Sequence, residues 1–277
     1  MKTKSIIIAA FFVLFIGFAC GEGRADELTV DEIVRKANHM ALYQGADGKG
    51  KVTMVIQDKQ GRIRMREFNM LRKNVDDRDR DQKYYSFFQA PADVRKMVFM
   101  VHKHVAIEKD DDRWLYMPSL DLVKRIAASD KRTSFVGSDF LYEDISGRSP
   151  TEDTHELIKK TDQYYILKNI PKNPDNVEFE YYIAHIDKKT FMPMKMEFFK
   201  KGDRLYRIIE ATKLEEIQSA ENGKEVAYPT VTTSIAKDLE NGSMTEMTFS
   251  NIRYNIGLGD EIFTERYLRR PPRNAMR

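Results

Sequence analysis

Val52-Thr53-Met54-Val55-Ile56 runs into Asp58-Lys59-Gln60-Gly61 and out again as Arg62-Ile63-Arg64-Met65-Arg66. In the first arm Val52, Met54 and Ile56 alternate with Lys51, Thr53 and Val55, and the four residues from Asp58 carry turn chemistry. Period-two alternation on both sides of a polar, glycine-bearing turn predicts an antiparallel β-hairpin with one apolar and one polar face. In the second arm Arg62, Arg64 and Arg66 share one side while Ile63 and Met65 share the other. Phe68 and Met70 then fall out of phase with Ile63 and Met65, so a bulge near Glu67 is expected to restore the register.

Downstream, further strands are expected at residues 84–89, 96–107, 113–117, 122–126, 163–168, 177–186, 192–200, 204–214, 231–237 and 244–254. Short polar or glycine-bearing turns connect several of them: Asp187 to Thr190, Lys200 to Asp203, Glu221 to Gly223 and Glu240 to Gly242. Many short strands without intervening long helices predict a mostly β (α+β) meander, either a sandwich or an open, curled barrel, and exclude a doubly wound α/β fold. Upstream, Thr29 with Glu32 makes a capping box, and Ile33, Val34, Ala37, Met40 and Ala41 recur at helical spacing. One N-terminal helix over about residues 30 to 43 is predicted, broken by Gly45, Gly48 and Gly50. Residues 74–83 and the tail after Arg269 read as solvated.

The first residues, Met1-Lys2-Thr3-Lys4, precede an uncharged, largely apolar run from Ser5 to Ala19. That run is shorter than the ~20 residues a membrane span needs, and with Gly23-Arg24-Ala25 after it the segment reads as an export signal cut after Ala25. The rival is a lipoprotein signal acylated at Cys20, the single cysteine, although the Leu usual three positions upstream is missing. A cut after Ala25 divides the chain into a signal peptide, 1–25, and one domain, 26–277, without cysteine and hence without disulfide or thiolate chemistry. The segment after Ala25 keeps 43 of the 46 basic and 42 of the 43 acidic residues. Such a balance supplies no field to draw in nucleic acid. With no second spanning stretch, a soluble chain in the periplasm is expected.

Chemistry-bearing motifs are weak. His102-Lys103-His104 sets two imidazoles on one strand face, but no third metal ligand is spaced to join them. Asp110-Asp111-Asp112 lacks the glycine and the terminal glutamate of a calcium loop, residues 45–50 lack the spacing of a phosphate loop, and Gly137-Ser138-Asp139 is not a nucleophile elbow. No catalytic residue, metal or cofactor is therefore expected, and the chain reads as a non-enzyme. Composition says more: 13 methionines follow the initiator, and Met192, Met194 and Met196 align with Phe198 on one strand face. Methionine is unbranched and polarizable, so such a face adapts to apolar ligands of variable shape, or fills an ordinary core.

Arg113-Trp114-Leu115-Tyr116-Met117-Pro118, Val123-Lys124-Arg125-Ile126 and the run from Ser134 to Ile145, SFVGSDFLYEDI, resemble the exported bacterial outer membrane lipoprotein-sorting proteins, relatives of the LolA lipoprotein carrier. Ile186 to Lys195 and the hairpin at Lys200 to Asp203 are similar to the later strands of that family. The resemblance implies a single curved antiparallel sheet forming an incomplete barrel (LolA/LppX-like), with the N-terminal helix and short helices or loops over the concave face. It also implies an apolar concavity for lipid chains, and an inner-membrane RND-type transporter or an outer-membrane acceptor as partner.

The function expected is a monomeric periplasmic carrier for the acyl or apolar part of a lipid or lipoprotein. The alternative is an accessory subunit of an RND-type exporter that carries nothing. The residues expected to line the concavity are Met54, Ile56, Phe87, Met97, Phe99, Trp114, Tyr116, Phe140, Tyr142, Met194, Met196 and Phe198. Arg266, Arg269, Arg270, Arg273 and Arg277 make the C-terminal end basic.

Overall fold

The computed structural model describes residues 27–106, 109–221 and 223–272. The expected export signal with its cut after Ala25, Cys20, and Arg273 and Arg277 lie outside the described residues.

Thirteen strands hydrogen-bond into one antiparallel sheet: β1 (Asp47–Gln57), β2 (Ile63–Asn74), β3 (Gln82–Ala90), β4 (Val98–Lys103), β5 (Asp112–Met117), β6 (Leu122–Ile126), β7 (Asp153–Lys160), β8 (Tyr164–Pro171), β9 (Tyr181–Asp187), β10 (Pro193–Lys200), β11 (Arg204–Glu221), β12 (Lys224–Asp238) and β13 (Ser243–Tyr254). The spatial order is β6-β5-β4-β3-β2-β1-β13-β12-β11-β10-β9-β8-β7. The chain thus enters mid-sheet, meanders out to β6, re-enters at the opposite edge as β7 and meanders back until β13 pairs with β1. β6 and β7 stay as free edges, so the sheet is open rather than a closed barrel.

That topology forces residues 127–152 to travel from one edge to the other, and they do so through the hollow of the sheet. Phe135 sits at the centre of the passage with ring centroids 5.9 Å from Phe68, 5.9 Å from Phe88 and 5.3 Å from Phe99. The far half of the sheet grips the same segment. Asp139 accepts from Thr245 Oγ1 of β13 at 2.7 Å, Asp144 pairs with Arg207 of β11, and Arg132 pairs with Glu178 ahead of β9 at 2.5 Å. Both halves close on one crossover only if the sheet is curled, and burial of Phe135, Phe140, Tyr142 and Ile145 against both is the largest core. The SFVGSDFLYEDI run is therefore the plug of the fold, ending in a short helix α2 (Tyr142–Ser146).

The capping box forms as expected, with Thr29 N donating to Glu32 Oε2 at 2.8 Å and Glu32 N to Thr29 Oγ1 at 3.3 Å. Helix α1 (Val30–Asn38) continues as a π-helical turn, His39–Tyr43, and buries Ile33 and Ala37 on Leu167, Ala184 and Ile186 of β8 and β9. The opening hairpin also forms, with Val52 opposite Phe68 and Met54 opposite Arg66. The bulge expected near Glu67 appears only on the β3 side. β2 keeps one phase against β1, and the irregularity lies on its other side, where Glu67 and Phe68 pair with Ala90 and Phe88 of β3. Arg66 therefore turns inward and is buried, whereas Ile63 and Met65 face solvent at 63% and 48% exposure.

Outside the concavity, residues 256–268 cover the convex face of β2 to β5. Leu258, Ile262, Phe263 and Leu268, the last in helix α3 (Arg266–Arg269), bury Leu71, Tyr85, Val98, Met100 and Trp114. Lys73 Nζ donates to the Leu258 carbonyl at 2.8 Å, and Tyr85 Oη to the Tyr267 carbonyl at 2.7 Å. β7 has no counterpart among the sequence-based strands, because Asp153 to Lys160 offers little apolar alternation on an exposed edge. β11 and β12 run to 18 and 15 residues, well beyond the expected ends.

Candidate functional site

β1 shows how the inner face divides. Val52, Met54 and Ile56 are buried inside, but the two preceding inward positions are Gly48 and Gly50, which contribute no side chain. Small residues recur across the adjoining strands, with Ala184 on β9 and Ala211 on β11. Above them stand the flank of α1 and its π-helical turn, through Val34, Ala37 and Leu42, and the end of the crossover, through Phe140 and Ile145. The result is a cavity of about 450 Å³ floored by β1 and β8 to β13, within the range of small-ligand sites. Its apolar wall includes Met192, Met196, Phe198, Ile209, Met247 and Phe249. Gly147, at φ +77°, lets the crossover pass under the π-helical turn, since a Cβ there would stand 2.4 Å from Leu42 Cδ1.

The polar groups near the hollow are internally paired. Arg148 Nη2 meets Asp153 Oδ1 at 2.9 Å, Arg132 Nη1 meets Glu143 Oε2 at 2.5 Å, and Tyr182 Oη donates to Asp153 at 2.9 Å. Burial opposes ionisation of Glu143, yet Arg132, Lys131 and Arg148 more than offset it and hold the carboxyl below its usual range. Burial likewise opposes the charge of Arg148, while Asp153, Glu143 and Glu152 outweigh it and raise its pKa. These charges therefore seal and orient the crossover rather than offering a reactive group.

Of the residues expected to line the concavity, Phe140, Met196 and Phe198 stand in this wall. Met54, Phe99 and Tyr142 are buried in the plugged core, with Met97 packed against it, and Ile56 is buried further along β1. Met194 falls at the register shift that opens β10, leaving Met192 and Met196 to face the hollow. Phe87, Trp114 and Tyr116 lie on the convex face beneath the C-terminal segment, a correction to the expected placement. The reason is visible in β4, where Val98, Phe99, Met100 and Val101 are all buried: with both faces covered, alternation no longer tells inside from outside. Sequence reasoning missed Ala184, Ala211 and the two glycines, whose only signal is small size at inward positions; Gly48 and Gly50 read as helix breakers.

The histidine pair does not converge. His102 lies on the convex side, its Nε2 2.8 Å from the Phe263 carbonyl, and burial lowers its pKa. His104 lies past the end of β4 between Asp81 and Asp112, at 3.0 and 3.5 Å. Asp111 ties down the turn before β5, accepting from His104 N at 2.8 Å and pairing with Arg113. Among the described residues no group of three His, Cys, Asp or Glu side chains is placed to hold a metal, and no helix is long and apolar enough to cross a membrane.

This arrangement has solved counterparts. A DUF1329 family protein from Desulfovibrio piger is 28% identical, with a TM-score of 0.74 over 86% of this chain and 97% of its own. An outer membrane lipoprotein-sorting protein domain from Vibrio parahaemolyticus is 26% identical, with a TM-score of 0.73 over the same shares. A LolA superfamily protein from Nitrosomonas europaea, 20% identical, superposes at a TM-score of 0.64 over 87% of this chain and 100% of its own. A comparison with curated proteins finds no match. Residues 80–270 match the model of a family described as "-like: Uncharacterized protein". The span reaches from β3 through the crossover plug to the C-terminal cover, and the chain belongs to that family, built on the fold shared with LolA superfamily and lipoprotein-sorting proteins.

Proposed function

We propose that the protein is a periplasmic carrier that takes the acyl or other apolar part of a lipid or lipoprotein into the hollow and passes it between the inner and outer membranes. The observation that carries this reading is the vacancy of about 450 Å³ left over Gly48, Gly50, Ala184 and Ala211 in an otherwise packed sheet. Each methylene moved from water into it is worth ~0.8 kcal/mol, so one chain is held without covalent chemistry. The adaptable Met192 and Met196 in the wall suit cargo that must be released as well as held. Direction comes from differential affinity between donor, carrier and acceptor. The signal-like N-terminus and the names of the lipoprotein-sorting and LolA superfamily neighbours support export and this class of cargo. An inner-membrane RND-type transporter or an outer-membrane acceptor is the partner such a role calls for.

Native mass spectrometry of protein purified without detergent tests the reading, together with titration of an apolar fluorescent probe. A co-purified lipid, and probe binding weakened by Gly50→Leu and Ala184→Leu, are expected. The Gly50 change is tolerable because a Cβ there meets Ile252 Cγ1 at an ordinary 3.5 Å. Protein free of lipid, with probe binding indifferent to both substitutions, overturns it.

A second reading, an accessory exporter subunit without cargo, draws on Ile63 and Met244, exposed on either side of Gln57 at the turn end of the first hairpin. It leaves the vacancy without a role.

A further inference from the structure

At the β6 edge, β5 and β6 are joined by one helical turn, Pro118–Leu120, followed by Asp121 in the left-handed region at φ +44°. Leu120, at 67%, is the most exposed large apolar side chain among the described residues, and Leu122, at 46%, follows two positions later. The turn is tied down, since Tyr116 Oη and Arg269 Nε both donate to Asp121 Oδ1 at 3.2 Å. The antiparallel register, Phe87 with Val98 and Val98 with Tyr116, brings the turn between β3 and β4 to the same end of the sheet. Residues 91–97, 118–124 and 269–270 together carry five basic side chains, Arg95, Lys96, Lys124, Arg269 and Arg270, all exposed, against Asp93 and Asp121. Both acids are already engaged, Asp93 by Arg66 at 3.3 Å and Asp121 by Arg269. Lys124 lies on the Leu122 face of β6, whereas Arg269 reaches the tip from the other face, its guanidinium 5.9 Å from the centre of the Tyr116 ring.

A lone exposed leucine needs no explanation. Two on one hairpin tip, with a surplus of cations on both faces, match a surface that is apolar within and anionic at its rim, the boundary between acyl chains and headgroups of a bilayer. A protein partner fits less well, because a stable protein interface spreads over roughly 800 Å² per side, whereas the apolar part of this tip is two side chains on one turn. We infer that the β5–β6 tip is a docking point for a membrane surface containing anionic phospholipid. Leu120 and Leu122 enter the headgroup region, and Lys96, Lys124 and Arg270 meet the phosphates beside them. The inference goes beyond the carrier reading and does not rest on it, because the tip stands at the sheet edge and none of its residues lines the hollow.

Co-sedimentation of the purified protein with vesicles of phosphatidylcholine alone, and of phosphatidylcholine with about one-third phosphatidylglycerol, tests the assignment. Partitioning onto the anionic vesicles should be at least about tenfold stronger, and raising the salt from about 0.1 to 1 M should remove that preference. Leu120→Ser with Leu122→Ser should weaken binding to the anionic vesicles at least about tenfold. Lys96→Gln, Lys124→Gln and Arg270→Gln together should bring it down to the level of the neutral vesicles. All five positions are exposed, so both variants are expected to fold and to melt as the wild type does. Two controls should leave partitioning unchanged: Ile63→Ser with Met65→Ser, which removes comparably exposed apolar side chains from β2, and Gly50→Leu, which fills the hollow. Partitioning that ignores the leucine variant, or that falls as far in either control, would overturn the assignment. No partitioning onto anionic vesicles would overturn it too, and would leave an acidic protein surface as the occupant of the tip. Binding of the apolar probe in the hollow is a separate readout, so the failure of one reading leaves the other standing.

Discussion

Over β1 to β5 the inner face of the sheet carries Phe68, Phe88 and Phe99 closed by Phe135 and Tyr142, while over β8 to β13 the same face packs the crossover only in part, through Phe198, Ile209 and Met247, and leaves a hollow beside Ala184 and Ala211 beneath α1. Both halves have the same antiparallel pairing and a covering segment, so neither topology nor strand count decides which is hollow. Side-chain volume at alternate positions does. β1 makes the comparison within one strand, passing from Gly48 and Gly50 to Val52 and Met54. A hollow and a conventional core therefore differ by a handful of small residues on a shared scaffold, and each half should answer differently to the same kind of substitution.

The largest difference is expected from truncation. Phe135 is fully buried with aromatic partners on β2, β3 and β4, so Phe135→Ala should cost about 3–5 kcal/mol. Met196, half-buried beside existing empty space, should lose less than half as much on Met196→Ala, because removing atoms next to a void forfeits fewer contacts. Urea unfolding of both variants measures this, and equal losses would mean that the two halves are packed alike.

Next comes the charge at the margin of the filled half. Burial drives the Lys103 ammonium down from 10.5 to about 8, against the partial support of Asp111, Glu152 and Glu143. Since the pKa is lower in the folded state, the unfolded chain holds more protons between about pH 8 and 10.5, and stability rises with pH across that window. Below pH 8 the full penalty, on the order of 3 kcal/mol, applies. Lys103→Met should consequently be more stable than the wild type at pH 7, with the advantage shrinking as pH climbs toward 10.5. Thermal melts at pH 7 and 10 decide it; a variant less stable at both would show that the ammonium is not strained.

Enlargement probes the comparison from the other side. Ser86 faces the filled core from β3 and is fully buried, so Ser86→Leu should overpack it and cost about 1–3 kcal/mol. Gly50→Leu, placed over the hollow, should change stability by less than about 1 kcal/mol. A similar cost for both would place the vacancy elsewhere.

These contrasts also mark how far the sequence was legible. The hairpin at Val52 to Arg66, the meander and the Thr29 capping box all rest on interactions between near neighbours, where period and turn chemistry operate directly. Phe87, Trp114 and Tyr116 were unreadable for a different reason. Their side of the sheet is buried by residues 256–268, some 140 to 180 positions away, and no local period reports such a cover. β2 misled in a third way: its inward Arg66 looks like the polar face until Asp93, 3.3 Å away, is brought beside it by the fold. The plug was recognisable as a signature, but that it fills one half of the concavity follows from a crossover joining opposite edges, which only the strand order reveals.

The smallest effect is expected at the roof of the hollow. α1 is nine residues long, too short to persist alone, and it holds its place through Ile33 and Ala37 on β8 and β9 and through the capping box at its start. Thr29→Ala removes the acceptor for Glu32 N and should cost about 1 kcal/mol. That cost falls on the roof alone, since the plug is anchored independently by Asp139 on Thr245 and Asp144 on Arg207. Amide exchange should therefore speed up by about fivefold over α1 while the amides of Phe135 and Phe140 keep wild-type protection. Were the plug to loosen in step with the helix, roof and core would be one cooperative unit, and the hollow could not open without disturbing the packed half beside it.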